Sequence, residues 1–243
     1  DNTPPSPIYL QRASVTSFND VVELKWQASE AYDAQAYQIY RRNENTGDFS
    51  QIALVEHPNT TYQDSFRINN REVCYFVKVK DACDNRSAFS NRGCIIQPEG
   101  EALDLENALS WPPYEKWQKG TRTYEVFKQT GDSTYQSLAR LDSSQRSYLD
   151  QDLRDSADQF CYYIRAEGFG EETFSRSTRI CLEQAAIVHI PNTFSPGVTP
   201  GLNDQFGPEG LYIANYEMQI YNRWGEQVFS TSTSEEWDGT YQG

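Results

Sequence analysis

The sequence predicts an all-β protein of three parts: two tandem β-sandwiches and a smaller, incomplete β-sandwich-type module after them. Three observations carry this. Short apolar runs rich in Val, Ile, Tyr and Phe recur between Gly, Pro, Asn and Asp at roughly eight- to twelve-residue spacing, the rhythm of sandwich strands and not of strand–helix–strand units. The chain matches itself when slid by about 86 residues. The last quarter, from Ile190 onward, follows neither copy and carries its own ordered turn motifs.

The repeat places Glu23-Leu24-Lys25-Trp26 over Ala108-Leu109-Ser110-Trp111, and Tyr37-Gln38-Ile39-Tyr40 over Tyr124-Glu125-Val126-Phe127. It also places Tyr62-Gln63-Asp64 over Tyr148-Leu149-Asp150, and Cys74-Tyr75-Phe76-Val77 over Cys161-Tyr162-Tyr163-Ile164. Each copy is taken as one domain, 1–98 and 99–184, with 185–243 as the third. With a side-chain period of two, Tyr75, Val77 and Val79 face one side and Cys74, Phe76 and Lys78 the other, so Cys74 is expected to point away from the core. Trp26 and Trp111 are expected in the cores. Short linkers, Gln97-Pro98-Glu99-Gly100 and Glu183-Gln184-Ala185-Ala186, favour a semi-rigid rod after an extended Pro4-Pro5-Ser6-Pro7 lead-in.

Five cysteines are present, and Cys74 to Cys94 and Cys161 to Cys181 both span 20 positions. Equal spacings in equivalent contexts predict one disulfide per repeat and an oxidising compartment. Cys74–Cys94 would staple two neighbouring strands at a sheet edge. Cys83 is left over in the loop between them, where an inert loop cysteine is expected over a reactive thiol or an intermolecular link.

In the last module, Met218-Gln219-Ile220 and Gln227-Val228-Phe229 are strand-like, and Asn222-Arg223-Trp224-Gly225 between them supplies the glycine a tight hairpin needs where φ turns positive. Trp237-Asp238-Gly239 marks a second turn. Trp224 and Trp237 are expected to pack the small sheet. At 59 residues such a module buries a modest fraction of its surface and is expected to lean on the second sandwich or on a partner.

The charge balance, 21 Lys and Arg against 35 Asp and Glu for a net −14, repels phosphate backbones, so no nucleic-acid partner is expected. No run of eighteen apolar residues occurs, so no direct membrane insertion is expected. His57 and His189 are isolated and no CxxC pair exists, which leaves neither a zinc set nor a catalytic triad; no enzymatic activity, metal or cofactor is expected. Among the aromatics of Trp111-Pro112-Pro113-Tyr114-Glu115-Lys116-Trp117, Trp117 is the candidate contact residue. Asn59-Thr60-Thr61 matches an N-glycosylation acceptor. A first residue Asp1 in place of Met suggests a mature or partial product of something longer.

Two resemblances add to this. The Trp26 and Trp111 strands, Tyr37-x-Ile39 and Tyr124-x-Val126, and Tyr75-x-Val77-x-Val79 and Tyr162-x-Ile164-x-Ala166 resemble fibronectin type III domains over 8–98 and 101–184. The order Pro191-Asn192-Thr193-Phe194-Ser195-Pro196, Asn203-Asp204-Gln205-Phe206, Asn222-Arg223-Trp224-Gly225, Val228-Phe229 and Trp237-Asp238-Gly239 resembles the type B C-terminal sorting domain of type 9 secretion cargo in Bacteroidota, also called the gliding motility-associated C-terminal domain.

That second resemblance implies an export and surface-anchoring region, delivered through the periplasm to the cell surface or outside, in association with the outer membrane. It implies as partners the type 9 translocon and an outer-membrane shuttle of the PorV kind or a PorP/SprF-like membrane protein. The matching residues, taken as recognition residues, are Pro191, Asn192, Phe194, Asn203, Asp204, Phe206, Asn222, Arg223, Trp224, Gly225, Trp237, Asp238 and Gly239. An adhesin cargo, linked to gliding, is expected; accessory glycan-binding modules of a polysaccharide-degrading enzyme, or a hydrolase with its catalytic domain upstream, are the alternatives. The sequence departs from the family in the loop from Ser195 to Leu202, where Asp204 is the lone nearby carboxylate and calcium would want several. The family also continues beyond Trp-Asp-Gly into further strands, so a module either truncated at Gly243 or only partly represented by this sequence is expected. Asp132-Ser133-Thr134 and Asp155-Ser156-Ala157 resemble the Asp-(Ser/Thr)-small pattern O-glycosylated in such exported proteins.

Overall fold

The computed structural model describes residues 3–17, 21–42, 46–65, 72–114, 117–132, 134–153, 158–170, 173–198, 203–213 and 216–241. Ser133 and the Asp155-Ser156-Ala157 pattern lie outside the described residues, as do Glu115, Lys116, the loop residues 199–202 and Gly243.

The first sandwich is built from seven strands, β1 (Leu10–Ser17), β2 (Val21–Trp26), β3 (Ala34–Arg42), β4 (Phe49–Glu56), β5 (Thr61–Ser65), β6 (Cys74–Asp81) and β7 (Gly93–Cys94). They form a three-stranded sheet ordered β1-β2-β5 and a four-stranded sheet ordered β4-β3-β6-β7. Alternation decides which side chains meet between them. Val22, Leu24 and Trp26 from one sheet join Tyr37, Ile39, Tyr75, Val77 and Val79 from the other in one buried cluster. Burying each such aliphatic side chain contributes about 1.5–3 kcal/mol.

The second sandwich repeats the plan with β8 (Glu99–Leu103), β9 (Glu106–Ser110), β10 (Thr121–Gln129), β11 (Tyr135–Asp142), β12 (Ser147–Asp150), β13 (Gln159–Gly168), β14 (Phe174–Arg176) and β15 (Ile180–Glu183). Its sheets are β12-β9-β8 and β11-β10-β13-β14, with β15 also pairing β13. The fold is all-β and fibronectin type III-like in both copies. Even the core geometry repeats: Trp26 meets Tyr37 edge-on with ring centroids 5.3 Å apart, and Trp111 meets Tyr124 at 5.7 Å.

A buried polar network also repeats. The Tyr75 hydroxyl donates to Asp64 at 2.9 Å and Arg41 reaches the same oxygen at 2.6 Å. In the second copy the Tyr162 hydroxyl donates to Asp150 at 2.8 Å and Lys128 pairs with that carboxylate at 2.9 Å. A buried carboxylate is tolerable only when paired and hydrogen-bonded, and here a cation and a phenol do both.

Cys74–Cys94 and Cys161–Cys181 are both joined, with 4.0 Å between the Cα atoms in each pair. Cys74 and Cys94 are register partners of β6 and the edge strand β7. Cys74 lies on the pleat opposite Tyr75 and outside the core cluster, yet it is fully buried. Cys83 is exposed and belongs to neither bridge.

Contacts divide the chain into two compact units. One is Asp1–Glu101, Asn107–Gln151 and Phe160–Leu182, and so holds both sandwiches; the other is Ala102–Glu106, Asp152–Gln159 and Glu183–Gly243. Within the first unit the sandwiches bond directly. Trp117 Nε1 donates to the Gln11 carbonyl at 2.8 Å, Ser175 Oγ to Ala13 at 2.7 Å, and the Arg176 N–H to Ser14 Oγ at 3.0 Å. This corrects the expectation for Trp117: it is 5% exposed, and its indole is spent on holding one sandwich to the other.

Candidate functional site

The motifs of the last module are built from short strands and turns. Strands β16 (Ile187–His189) and β17 (Glu209–Leu211) pair antiparallel, as do β18 (Met218–Tyr221) and β19 (Gln227–Thr231), in two separate two-stranded sheets. A lone two-stranded pair is marginal in water, so what fixes these strands lies in the turns between them.

Three motifs distant in sequence meet. The Phe194 ring sits 5.5 Å from Phe206 and 5.5 Å from Trp237. Ser195 N–H donates to the Asn203 carbonyl at 2.7 Å, which closes the first motif onto the second. Phe206 and Trp237 form an antiparallel bridge, which closes the second onto the last. Gly239 belongs to the same cluster: its φ is +83°, and a Cβ there would stand 3.0 Å from Pro196 and 3.3 Å from Phe194. The three rings are half-buried and make the small apolar centre of the module.

The Trp237 turn is locked by its own side chains. Trp237 Nε1 donates to the Thr240 carbonyl at 2.8 Å, while Asp238 accepts from the Thr240 N–H at 2.9 Å and its hydroxyl at 2.7 Å. Those bonds, the Thr240 hydroxyl first, hold the Asp238 carboxyl below the usual carboxylate range.

In the hairpin, Asn222 Oδ1 accepts from the backbone N–H groups of Trp224 and Glu226, both at 3.0 Å, and Gly225 takes the positive φ of +82°. Asparagine here does what a backbone carbonyl would do in a longer turn. Arg223 lies 4.2 Å over the Trp224 ring. Trp224 is 76% exposed, which corrects the expectation that it packs the sheet: a two-stranded hairpin has no second layer for a turn residue to enter. Tyr241 donates to Glu226 at 2.5 Å and ties the last motif to the hairpin. Nothing in the local sequence singles out Tyr241, since its partner Glu226 lies 15 positions away.

The structure thus gathers Phe194, Asn203, Phe206, Trp237 and Gly239, while Asn222, Arg223, Trp224 and Gly225 form a projecting tip. Pro191 is half-buried, Asn192 exposed and Asp204 half-buried beside Asn203. His57 packs its ring 5.9 Å from Tyr37, and His189 is exposed on β16. Among the described residues, the grouping of potential metal ligands is Glu72, Cys74 and Cys94, and both sulfurs there are engaged in the disulfide.

Comparison with known proteins agrees with the reading of this module. Residues 188–243 match the family described as the CHU_C type IX secretion signal domain. The chain therefore carries the sorting region of a type IX secretion cargo, which implies engagement of that machinery and export toward the cell surface or the extracellular space. No curated protein matches. Among solved structures, the chain is similar to a pectate lyase Pel3 from Pectobacterium carotovorum at 17% identity and a TM-score of 0.31, over 37% of this chain and 26% of that one, about a quarter of the enzyme's length. It is similar to the FN1–FN3 domains of chicken CNTN1 at 15% identity and a TM-score of 0.30, covering 76% and 69% of the two chains. The central fibronectin-III array of RIM-binding protein is matched over 96% of this chain and 98% of that one, at 13% identity and a TM-score of 0.32. Likeness of this degree says nothing of activity.

Proposed function

We propose that the module from Ile187 to Tyr241 is a folded address, read by the type IX translocon and then by an outer-membrane partner of the PorV or PorP/SprF kind. In this reading the cargo is an outer-membrane-associated adhesin of a Bacteroidota cell, linked to gliding, and the two sandwiches are its folded, non-enzymatic spacer. The observation that supports it most is the convergence of Phe194, Phe206 and Trp237, since motifs up to about forty residues apart would not assemble around one centre if each were only a local turn. The exposed Arg223–Trp224 tip offers a cation and a wide ring to a partner, residue types that dominate recognition surfaces. Strands β16 to β19 stand in two-stranded pairs, whose outer edges suit strand addition by a partner.

The test compares the whole chain, fused behind a folded reporter in a type IX-secreting strain, with the same fusion lacking residues 188–243. Protease accessibility on intact cells reads delivery. Equal surface exposure of the two fusions would refute the address.

A further inference from the structure

The outward face of the β11-β10-β13-β14 sheet carries charges that the sandwich does not require. Register places Arg140, Glu125, Arg165 and Arg176 side by side in one row across four strands. Arg165 and Arg176 therefore stand directly opposite each other, and like charges so placed cost stability. In the next row a single carboxylate, Glu167, accepts Arg122 at 3.3 Å and Arg165 at 3.3 Å, and pairs with Arg140 as well. Glu125 accepts from the Ser137 hydroxyl at 2.6 Å, and Asp142 at the end of β11 accepts from Ser144 in its own turn. Four guanidinium groups thus share a face with two central carboxylates, in a chain of net charge −14.

The first sandwich is an internal control. Over the corresponding three strands the row there is Leu54, Gln38 and Lys78, with one cation in place of the two, Arg140 and Arg165. The same sheet folds there with Leu54 in the place of Arg140 and a lysine, 4.0 Å over the Phe89 ring, in the place of Arg165, so Arg140 above all answers to something other than the fold.

Aromatic rings complete the face. Phe127 and Tyr163 stack at 4.6 Å with 11° between their planes, and Tyr135 packs 4.9 Å from Tyr163. Arg176 lies 3.9 Å over Tyr163, and Arg165 lies 4.9 Å over Phe174. A guanidinium stacked on a ring spends its flat face there; Nε of Arg165 and of Arg176 is buried, and the recognition is left to the terminal N–H groups in the guanidinium plane, a geometry that matches carboxylate or sulfate oxygens. With strands about 4.8 Å apart, Arg140 and Arg165 stand about 10 Å apart and Arg176 about 5 Å further on.

Forks at intervals on an open, ring-lined sheet face suit a chain that carries anions at intervals and has flat apolar faces between them. We propose that this face binds an anionic polysaccharide through its carboxylate or sulfate groups. The site is distinct from the sorting module, and its test on purified protein involves no secretion.

Calorimetric titration of the whole chain at low salt uses polygalacturonate, dextran sulfate, neutral dextran and single-stranded DNA as probes. Expected is binding to a polyanion and none to dextran, weakened roughly tenfold or more by R140Q/R165Q. Response to polygalacturonate alone identifies carboxylate as the anion, and to dextran sulfate alone, sulfate. The charge-matched double substitution R42Q/R92Q, on the first sandwich, should bind like the parent. Should R140Q/R165Q fail to fold by thermal melting, R176Q serves in its place: removing the like-charged neighbour of Arg165 should leave the melting temperature level or higher while weakening binding. Binding to neither polyanion, equal weakening in R42Q/R92Q, or equal affinity for single-stranded DNA would overturn the proposal.

Discussion

Phe206 and Trp237 are hydrogen-bonded to each other twice, the Phe206 N–H to the Trp237 carbonyl at 2.7 Å and the Trp237 N–H to the Phe206 carbonyl at 2.8 Å. Their positions are 31 apart in the sequence, and this one bridge joins the Asn-Asp-x-Phe and Trp-Asp-Gly motifs. Replacing Trp237 with Ala keeps the backbone bonds and removes the ring that Phe194 packs on. About 2–4 kcal/mol of local stability should be lost, since the ring is only half-buried and falls short of a full core deletion. Hydrogen exchange confined to residues 188–241 reads this, and unchanged protection there would count against the three-ring centre.

Gly225 and Gly239 have nearly the same φ, +82° and +83°, but different surroundings. A Cβ on Gly225 meets nothing within 4 Å, whereas one on Gly239 meets Pro196 and Phe194. Gly225→Val should therefore cost about 1–2 kcal/mol of backbone strain, and Gly239→Val roughly 1–3 kcal/mol more from the contact. Proteolytic susceptibility of the module ranks the two, and the reverse order would contradict the cluster geometry.

Trp224, being 76% exposed, separates folding from recognition. Trp224→Ala should change stability by no more than about 0.5 kcal/mol and still lower surface delivery of the reporter fusion. Delivery at the parental level would remove Trp224 from the recognition residues.

Each disulfide closes a loop of 20 residues. On the chain-entropy account its removal costs roughly 3 kcal/mol. Paired Cys74→Ser and Cys94→Ser should lower the urea midpoint, with a further drop on adding the Cys161→Ser and Cys181→Ser pair. A midpoint insensitive to reduction in the parent chain would show that neither bridge contributes.

Burial, followed by the charge of Asp64, raises the Tyr75 hydroxyl above its ordinary value of 10.0. Burial raises Tyr162 likewise, with Asp150 adding to the shift. The folded chain then keeps protons that the unfolded chain releases. Their contribution is fully present below about pH 10 and is lost as pH climbs beyond it, at about 1.4 kcal/mol per pH unit for each tyrosine. Tyr75→Phe should flatten the alkaline fall in urea stability by one tyrosine's share. An identical fall in parent and variant would show that Tyr75 is not responsible.

Much of this molecule follows from rules that act over a few residues. A period of two told Tyr75, Val77 and Val79 from Phe76 and Lys78, the equal 20-residue spacings pointed to Cys74–Cys94 and Cys161–Cys181, and Asn222 to Gly225 announced a hairpin through the one glycine its turn needs. The ordered motifs likewise marked the 188–243 module. Trp26 and Trp111 were legible as core rings from the repeat, but tertiary structure alone decided whether the rings outside the repeated core positions would be covered. Trp117 and Trp224 are the same residue type in similarly polar surroundings, yet Trp117 is buried because its indole finds the Gln11 carbonyl 106 positions away, while Trp224 tops a hairpin with no layer above it. The arginine row is the same lesson in charge: Arg140, Arg165 and Arg176 have no telling spacing in the sequence, and only the antiparallel register of four strands sets them side by side. Side-chain period and turn chemistry are properties of the local backbone; coverage and cross-strand neighbours depend on which distant strand docks, and that is settled by the packing of the whole chain.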